Sequence, residues 1–101
     1  MRYLVYHSKD IIDMVRRLGP APEEINLKNY DLVAMVESET LDDVFRITNH
    51  IDTSWWNNPE VIMAYNEVRS TSVGDVAVEL ESHKAHMVMG IGWEEVKLCS
   101  D

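Results

Sequence analysis

Cysteine, glycine and proline are all scarce in this chain of 101 residues, which contains one, four and three of them. The single thiol, Cys99, excludes a disulfide within the chain and fits a reducing compartment. Near the N-terminus the apolar run is only Tyr3–Tyr6, which is too short for a signal peptide or a membrane span. We therefore predict a cytoplasmic protein, in the host cytoplasm if the protein is viral.

Basic residues are also few. Nine Lys and Arg face eighteen Asp and Glu, which gives a formal net charge of -9. A field of this sign repels phosphates and makes non-specific binding to nucleic acid unfavourable. It favours solubility and a partner with a basic surface. We expect a protein partner, no membrane and no nucleic acid, and a homo-oligomer stays open.

Motifs for cofactors and metals are missing. The chain has no His-Glu-x-x-His motif and no glycine-rich phosphate loop. His83 and His86 flank a predicted turn and could converge, but a structural zinc site needs four nitrogen or sulfur ligands. The acidic pairs Asp42-Asp43 and Glu94-Glu95 are read as helix capping and a solvated tail. We predict no cofactor and no metal.

The first half of the chain predicts two strands and two helices. Arg2–His7 and Asp31–Ser38 are rich in β-favouring apolar residues and indicate strands. Ser8 looks like the N-cap of a helix that ends at Gly19, and Thr40 like the N-cap of an amphipathic helix over Leu41–Asn49. The helical spacing rests on two sets of residues, each on one helical face: Ile11, Ile12, Val15 and Leu18, then Leu41, Val44, Phe45, Thr48 and Ile51.

The second half predicts a short helix followed by a hairpin. Pro59 suits the first turn of a helix capped by Asn58. Val76, Val78 and Leu80 alternate with Ala77, Glu79 and Glu81, which predicts a strand with one buried face, and Met87, Met89 and Ile91 predict the return strand. Trp93–Leu98 completes a last short strand or extended tail. We predict one α+β domain over residues 1–101, with a small, mostly antiparallel sheet of four or five strands and two main helices packed on it, the helix Leu41–Asn49 lying against strands 32–37 and 76–81.

The stretch Arg69-Ser70-Thr71-Ser72-Val73-Gly74-Asp75-Val76 opens this hairpin. A nucleophilic serine needs a base and an oxyanion hole, and nucleophile elbows place glycines on both sides of the serine, which this stretch does not. Gly74-Asp75 is turn chemistry. We predict that the hydroxyl groups satisfy backbone groups at the turn, and we count Arg69, Ser70 and Ser72 as candidate binding residues.

Trp55-Trp56-Asn57 lies in a polar stretch. Two adjacent tryptophans in an extended loop cannot face the same way, so one should pack into the core and the other should be partly exposed. Exposed aromatic side chains are typical of recognition hot spots. Trp55, Trp56 and Asn57 are therefore candidate binding residues as well.

The chain combines Arg69–Val76 with a later Gly90-Ile91-Gly92-Trp93-Glu94-Glu95-Val96, and it carries Leu41–Arg46 and Trp55-Trp56 before them. Together these segments resemble the YodL-like family of small domains. The resemblance covers roughly Leu41 to Val96. Members are short proteins, or pieces of larger ones, of bacteriophages, plasmids and other mobile elements. The resemblance implies no established reaction, so no catalytic residue is carried over.

Three functions follow as hypotheses. The leading one is a non-catalytic accessory protein of a phage or mobile element that acts by protein–protein binding, with a host factor as one target. A second is an enzyme or a nucleic-acid-processing subunit that uses the Arg69–Ser72 loop together with His50. The third is an inhibitor whose carboxylates imitate the phosphates of DNA, which requires them to form a stripe on one side.

Overall fold

A computed structural model describes residues 1–9, 22–49, 54–64, 69–90 and 92–99. They form one seven-stranded sheet, one α-helix and two 3-10 turns. The strands are β1 (Arg2–Ser8), β2 (Glu24–Ile25), β3 (Tyr30–Glu37), β4 (Val61–Ala64), β5 (Val76–Glu79), β6 (Ala85–Val88) and β7 (Trp93–Leu98). The helix is α1 (Leu41–Ile47), and the 3-10 turns are η1 (Leu27–Asn29) and η2 (Trp55–Asn57).

The sheet is mixed, with the strand order β2-β7-β6-β5-β1-β3-β4. All neighbouring strands are antiparallel except β2 and β7, which pair in parallel. β1 lies inside the sheet, between β3 and β5, because its apolar residues can be covered on both faces. β2 and β4 are the edge strands of the described sheet.

The predicted fold class was wrong in the size of the sheet and the number of helices. The described residues contain seven strands and a single α-helix, not four or five strands with two main helices. The predicted helix after Asn58 is the strand β4, whose residues pair with β3 through Val36↔Val61 and Ala34↔Ala64. Pro59 suggested a helix start, but as a strand the segment pairs with β3, and Val61 and Ala64 pack against the apolar cluster beneath α1.

Three other segments differ from expectation or lie beyond what is described. The connector before Tyr30 contributes β2, which the sequence did not indicate, and Trp93–Leu98 is a full strand. Ser8 is the last residue of β1, and the helix that was predicted to follow it, with Ile11 to Leu18, falls outside the described residues. The strands Arg2–Ser8 and Tyr30–Glu37 agree with the sequence to within one residue at each end.

The helix α1 follows its sequence signals closely. The Thr40 hydroxyl accepts a hydrogen bond from the Asp43 backbone N–H at 3.1 Å, as an N-cap should. The helix buries Val44 and Ile47 on the sheet, in a cluster that includes Val36 of β3 and Ala77 of β5. The helix ends at Ile47, two residues before the predicted end, and the hydroxyl of the next residue, Thr48, donates to the Val44 carbonyl at 2.8 Å.

The sheet is buried on both faces. One apolar cluster lies on the face that carries α1 and Trp55, and a second lies on the opposite face around Val76, Val78 and Ile25. Ala77 is fully buried, so the prediction that its face of the strand is exposed to solvent was wrong at that residue. A central strand covered on both sides needs no polar alternation.

Candidate functional site

A buried ion pair holds the Arg69–Asp75 stretch together. The Asp75 side chain is fully buried, and its two carboxylate oxygens accept from the two Arg69 guanidinium nitrogens at 2.6 and 2.8 Å. The backbone N–H groups of Ser72 and Ser8 also donate to this carboxylate, at 2.8 and 2.9 Å. A bidentate guanidinium and two further donors satisfy the buried charge that would otherwise be strongly destabilising.

The backbone around Asp75 is fixed by the turn before it and by β6. Gly74 has a φ of 91°, in a region where other residues are strained. The Asp75 N–H donates to the Ser72 carbonyl at 3.0 Å, which closes the turn. On the other side, the Val88 N–H donates to the Asp75 carbonyl at 2.8 Å. The stretch therefore shapes the backbone and opens β5, as the sequence predicted. Its hydroxyl groups were predicted to satisfy backbone groups, but those of Thr71 and Ser72 contact the side chains of His7 and Arg69.

His7 connects this ion pair to a second chain segment. Its Nε2 is 2.9 Å from the Thr71 hydroxyl and 3.9 Å from an Asp75 carboxylate oxygen. Thr71 is itself anchored, because its N–H donates to the Thr48 carbonyl at 3.0 Å and its carbonyl accepts from the Asn49 side-chain amide at 2.7 Å. The end of β1, the residues after α1 and the 69–75 loop meet at these side chains.

His7 is held neutral at physiological pH. Burial lowers its pKa from 6.5 to about 4, since burial outweighs the opposing attraction of the nearby Asp75 carboxylate. The ring is 4% exposed and lies against the indole of Trp55, with the ring centroids 6.3 Å apart. Its Nδ1 is buried, and no described residue hydrogen-bonds to it. Protonation of His7 would therefore place a charge in a site where the described residues offer Nδ1 no acceptor.

His7, Thr71 and Asp75 do not have the geometry of a catalytic triad. In a triad the hydroxyl contacts one ring nitrogen of the histidine and the carboxylate contacts the other. Here the hydroxyl and the carboxylate both lie on the Nε2 side. Thr71 is 1% exposed, so a substrate could not reach its oxygen without opening the fold. The contacts of these three side chains hold the end of β1 against the 69–75 loop.

The predicted loop residues do come together, around a residue that the sequence analysis treated only as part of a turn. Arg69 donates to the Ser70 carbonyl at 2.9 Å and reaches the Ser72 hydroxyl at 3.4 Å, but its main partner is Asp75. Ser72 is exposed and Ser70 is partly exposed. His50, which the enzyme hypothesis needed, lies outside the described residues. The sequence did contain a signal for this ion pair, because Arg69 and Asp75 have opposite charges and lie close together in the chain, with Gly74 between them.

The two tryptophans divide as expected. Trp55 is 1% exposed, and its indole N–H donates to the Arg69 carbonyl at 3.2 Å. Trp56 is partly exposed and meets Trp55 edge to face, with centroids 6.1 Å apart and an interplanar angle of 76°. Asn57 is exposed. Of the aromatic pair, only Trp56 offers surface to a partner.

The strand β4, which lies beside this turn, exposes two apolar side chains. η2 contacts β4, where Ile62 is 49% exposed and Met63 is 52% exposed. We name Trp56, Ile62 and Met63 the edge strip. The sequence analysis missed its β4 members because it placed them in a helix.

A second ionisable pair lies across β5 and β6. His86 Nε2 is 2.7 Å from a Glu79 carboxylate oxygen, and this hydrogen bond lowers the pKa of Glu79. Across the described ranges, no three His, Cys, Asp or Glu side chains are arranged to hold a metal ion. The helix of the described part is too short and too polar to cross a membrane.

No protein-family model, curated protein or solved structure matches this chain. The resemblance to the YodL-like family therefore stays a prediction, and the site must be interpreted from its own geometry.

Proposed function

We propose that the protein is a non-catalytic accessory protein of a phage or another mobile element, and that it acts by binding another protein. The mobile-element part comes from the resemblance carried by Arg69–Val76 and Gly90–Val96. Protein binding is supported by a contrast between two sets of side chains. The main polar cluster is buried and hydrogen-bonded within the fold, whereas several apolar side chains stay exposed.

The strongest polar cluster is committed to the fold. Asp75, His7 and Thr71 are each at most 4% exposed. The carboxylate accepts hydrogen bonds from Arg69 and from two backbone N–H groups, so no oxygen is left over for a substrate. Buried polar networks that are satisfied in this way stabilise one conformation of the chain.

The edge strip is the observation that carries the proposal. Ile62 and Met63 are exposed, and Trp56 is partly exposed although one side of it packs against the apolar cluster beneath α1. Large apolar side chains grouped on a surface, with an aromatic among them, are typical of protein-binding sites. The acid excess of the chain adds that the partner is basic near the contact.

Affinity capture with the purified protein tests this, followed by binding measurements with the purified partner. Trp56→Ala should weaken binding by about thirtyfold, which is about 2 kcal/mol for a hot-spot aromatic. Because Trp56 also packs against the core, Met63→Ser is the second variant. The matched control is Val73→Ser, which removes an apolar side chain that is 41% exposed on the turn before Asp75. Equal binding by all three variants would contradict a binding role for the edge strip.

The other two hypotheses gain no specific support. The enzyme hypothesis placed the Arg69–Ser72 loop and His50 around one pocket, whereas the Arg69 guanidinium is bound by the buried Asp75 carboxylate. The DNA-mimic reading needs a one-sided stripe of carboxylates, and adjacent residues of a strand such as Glu94 and Glu95 point to opposite faces.

A further inference from the structure

We propose that β4 is a docking edge for an extended, basic segment of the partner, which adds to the sheet as an eighth strand. This inference depends on the proposed function and specifies how the partner binds. It rests on the position of β4, on the faces to which its side chains point and on the charges around it.

β4 is an edge strand without the usual charged protection. It pairs with β3 on one side, and no other described strand pairs with its second side. Natural edge strands are commonly protected by Lys, Pro or a bulge. Val61–Ala64 contains no charged residue, although Pro59 precedes it and the register shifts once within it.

This shift explains why two consecutive side chains are exposed. Val36 pairs with Val61 and Met35 pairs with Met63, so Ile62 is an extra residue with no partner on β3. Val61 packs on the face that carries α1, whereas Met63 lies with Met35 on the opposite face. The exposed apolar surface therefore wraps around the edge of the sheet.

Because the apolar surface lies on both faces of the sheet edge, it favours an extended partner segment. A helix laid on one face of the sheet would cover Met63 or the Trp56 side, but not both. A strand paired edge-on places its own side chains alternately on the two faces and can cover both. Backbone hydrogen bonds would then give affinity, and the apolar side chains would give specificity.

The acidic residues around β4 favour a basic partner segment. Glu60 immediately precedes β4, and its carbonyl accepts from the Glu37 N–H at 2.8 Å, so the two acidic residues are neighbours. Glu37, Glu39 and Glu60 are all exposed, and Arg2 lies 3.8 Å from the Glu37 carboxylate. A second copy of the chain would bring another net charge of -9 to this edge, whereas a segment with Lys or Arg would neutralise it.

Selection from a random library of displayed twelve-residue peptides tests the site. The wild-type protein should enrich peptides that combine β-branched or aromatic residues with Lys or Arg, and should reject acidic and proline-rich ones. An enriched peptide, made synthetically, should slow amide hydrogen exchange at residues 61–64 in the wild-type protein.

Two pairs of matched variants locate the contact. Met63→Lys should weaken binding of the synthetic peptide by about tenfold, because it removes a buried apolar contact and adds a repelling charge. Its control, Val73→Lys, should change the affinity by less than about twofold, because Val73 lies on the turn outside the sheet. Glu60→Gln should weaken binding and reduce its dependence on salt, whereas Glu94→Gln on β7 should do neither.

Each other outcome overturns the docking edge. No enriched peptide, enriched peptides that bind Met63→Lys as well as wild type, or exchange protection away from β4 would each reject it. Protection of β4 that grows with protein concentration alone would show a second copy as the occupant and would also reject it. If the partner captured by affinity binds while Met63→Lys has no effect on it, the docking edge fails and the proposed binding function stands.

Discussion

Replacing His7 by glutamine should remove most of the acid sensitivity of the fold between pH 7 and pH 5. Burial lowers the pKa of His7 to about 4 in the folded protein, whereas the unfolded chain has the ordinary value of 6.5. Between these two values the unfolded chain binds a proton that the folded protein does not. The stability contributed by His7 is therefore fully present above pH 6.5 and is lost as the pH falls toward 4.

The size of the effect follows from the two pKa values. A difference of 2.5 between 6.5 and about 4 corresponds to about 3 kcal/mol when fully developed, and about 2 kcal/mol of this is lost between pH 7 and pH 5. A domain of this size has a total stability of roughly 5–15 kcal/mol, so the loss is readily measured. Most carboxylates stay ionised down to pH 5, which leaves histidine as the main titrating side chain in this range.

Urea denaturation followed by tryptophan fluorescence is the assay, because the Trp55 indole is buried against the His7 ring. The wild-type protein should lose about 2 kcal/mol more than His7→Gln between pH 7 and pH 5. His83→Gln, the same replacement at an exposed position, is the matched control. If His7→Gln shows the same pH dependence as the wild type, His7 is not the buried neutral group described above.

Two further predictions concern stability. Asp75→Asn should destabilise the protein by about 3–5 kcal/mol in urea denaturation at pH 7, because it leaves the Arg69 charge without its buried partner; the double variant Arg69→Met/Asp75→Asn should recover part of that loss, and an additive double variant would contradict the pairing. Thr40→Ala should cost about 1 kcal/mol through loss of the N-cap of α1, while Thr40→Ser should cost little. Thermal denaturation measures the Thr40 pair, and equal melting temperatures for Thr40→Ala and Thr40→Ser would contradict the cap.

The sequence could predict the elements that carry their own local signals. Thr40 with two acidic residues after it predicts the start of α1 without reference to the rest of the chain, and the structure places the cap there. The continuous apolar run after Arg2 likewise predicts β1. Such elements are set by residues close in sequence, so a single chain is enough to find them.

β4 could not be predicted in this way because its conformation depends on a distant partner. Asn58-Pro59 is a good local signal for the start of a helix, and Val61–Ala64 is compatible with either conformation. The pairing of Val61 with Val36 decides between them, and it joins residues 25 positions apart. The same long-range pairing makes β4 an edge, so the local reading missed both the strand and the exposed strip on it.

The polar cluster depends on register in the same way. Tyr6 pairs with Val76, so the antiparallel continuation of β1 and β5 brings His7 and Ser8 to Asp75. The bond from the Ser8 N–H to Asp75 spans 67 positions in the chain, and that between His7 and Thr71 spans 64. Hydroxyl, imidazole and carboxylate groups suggest catalysis when only their residue types are known. Their burial beside Arg69 indicates a structural role instead. The edge strip then remains as the candidate surface for binding a partner.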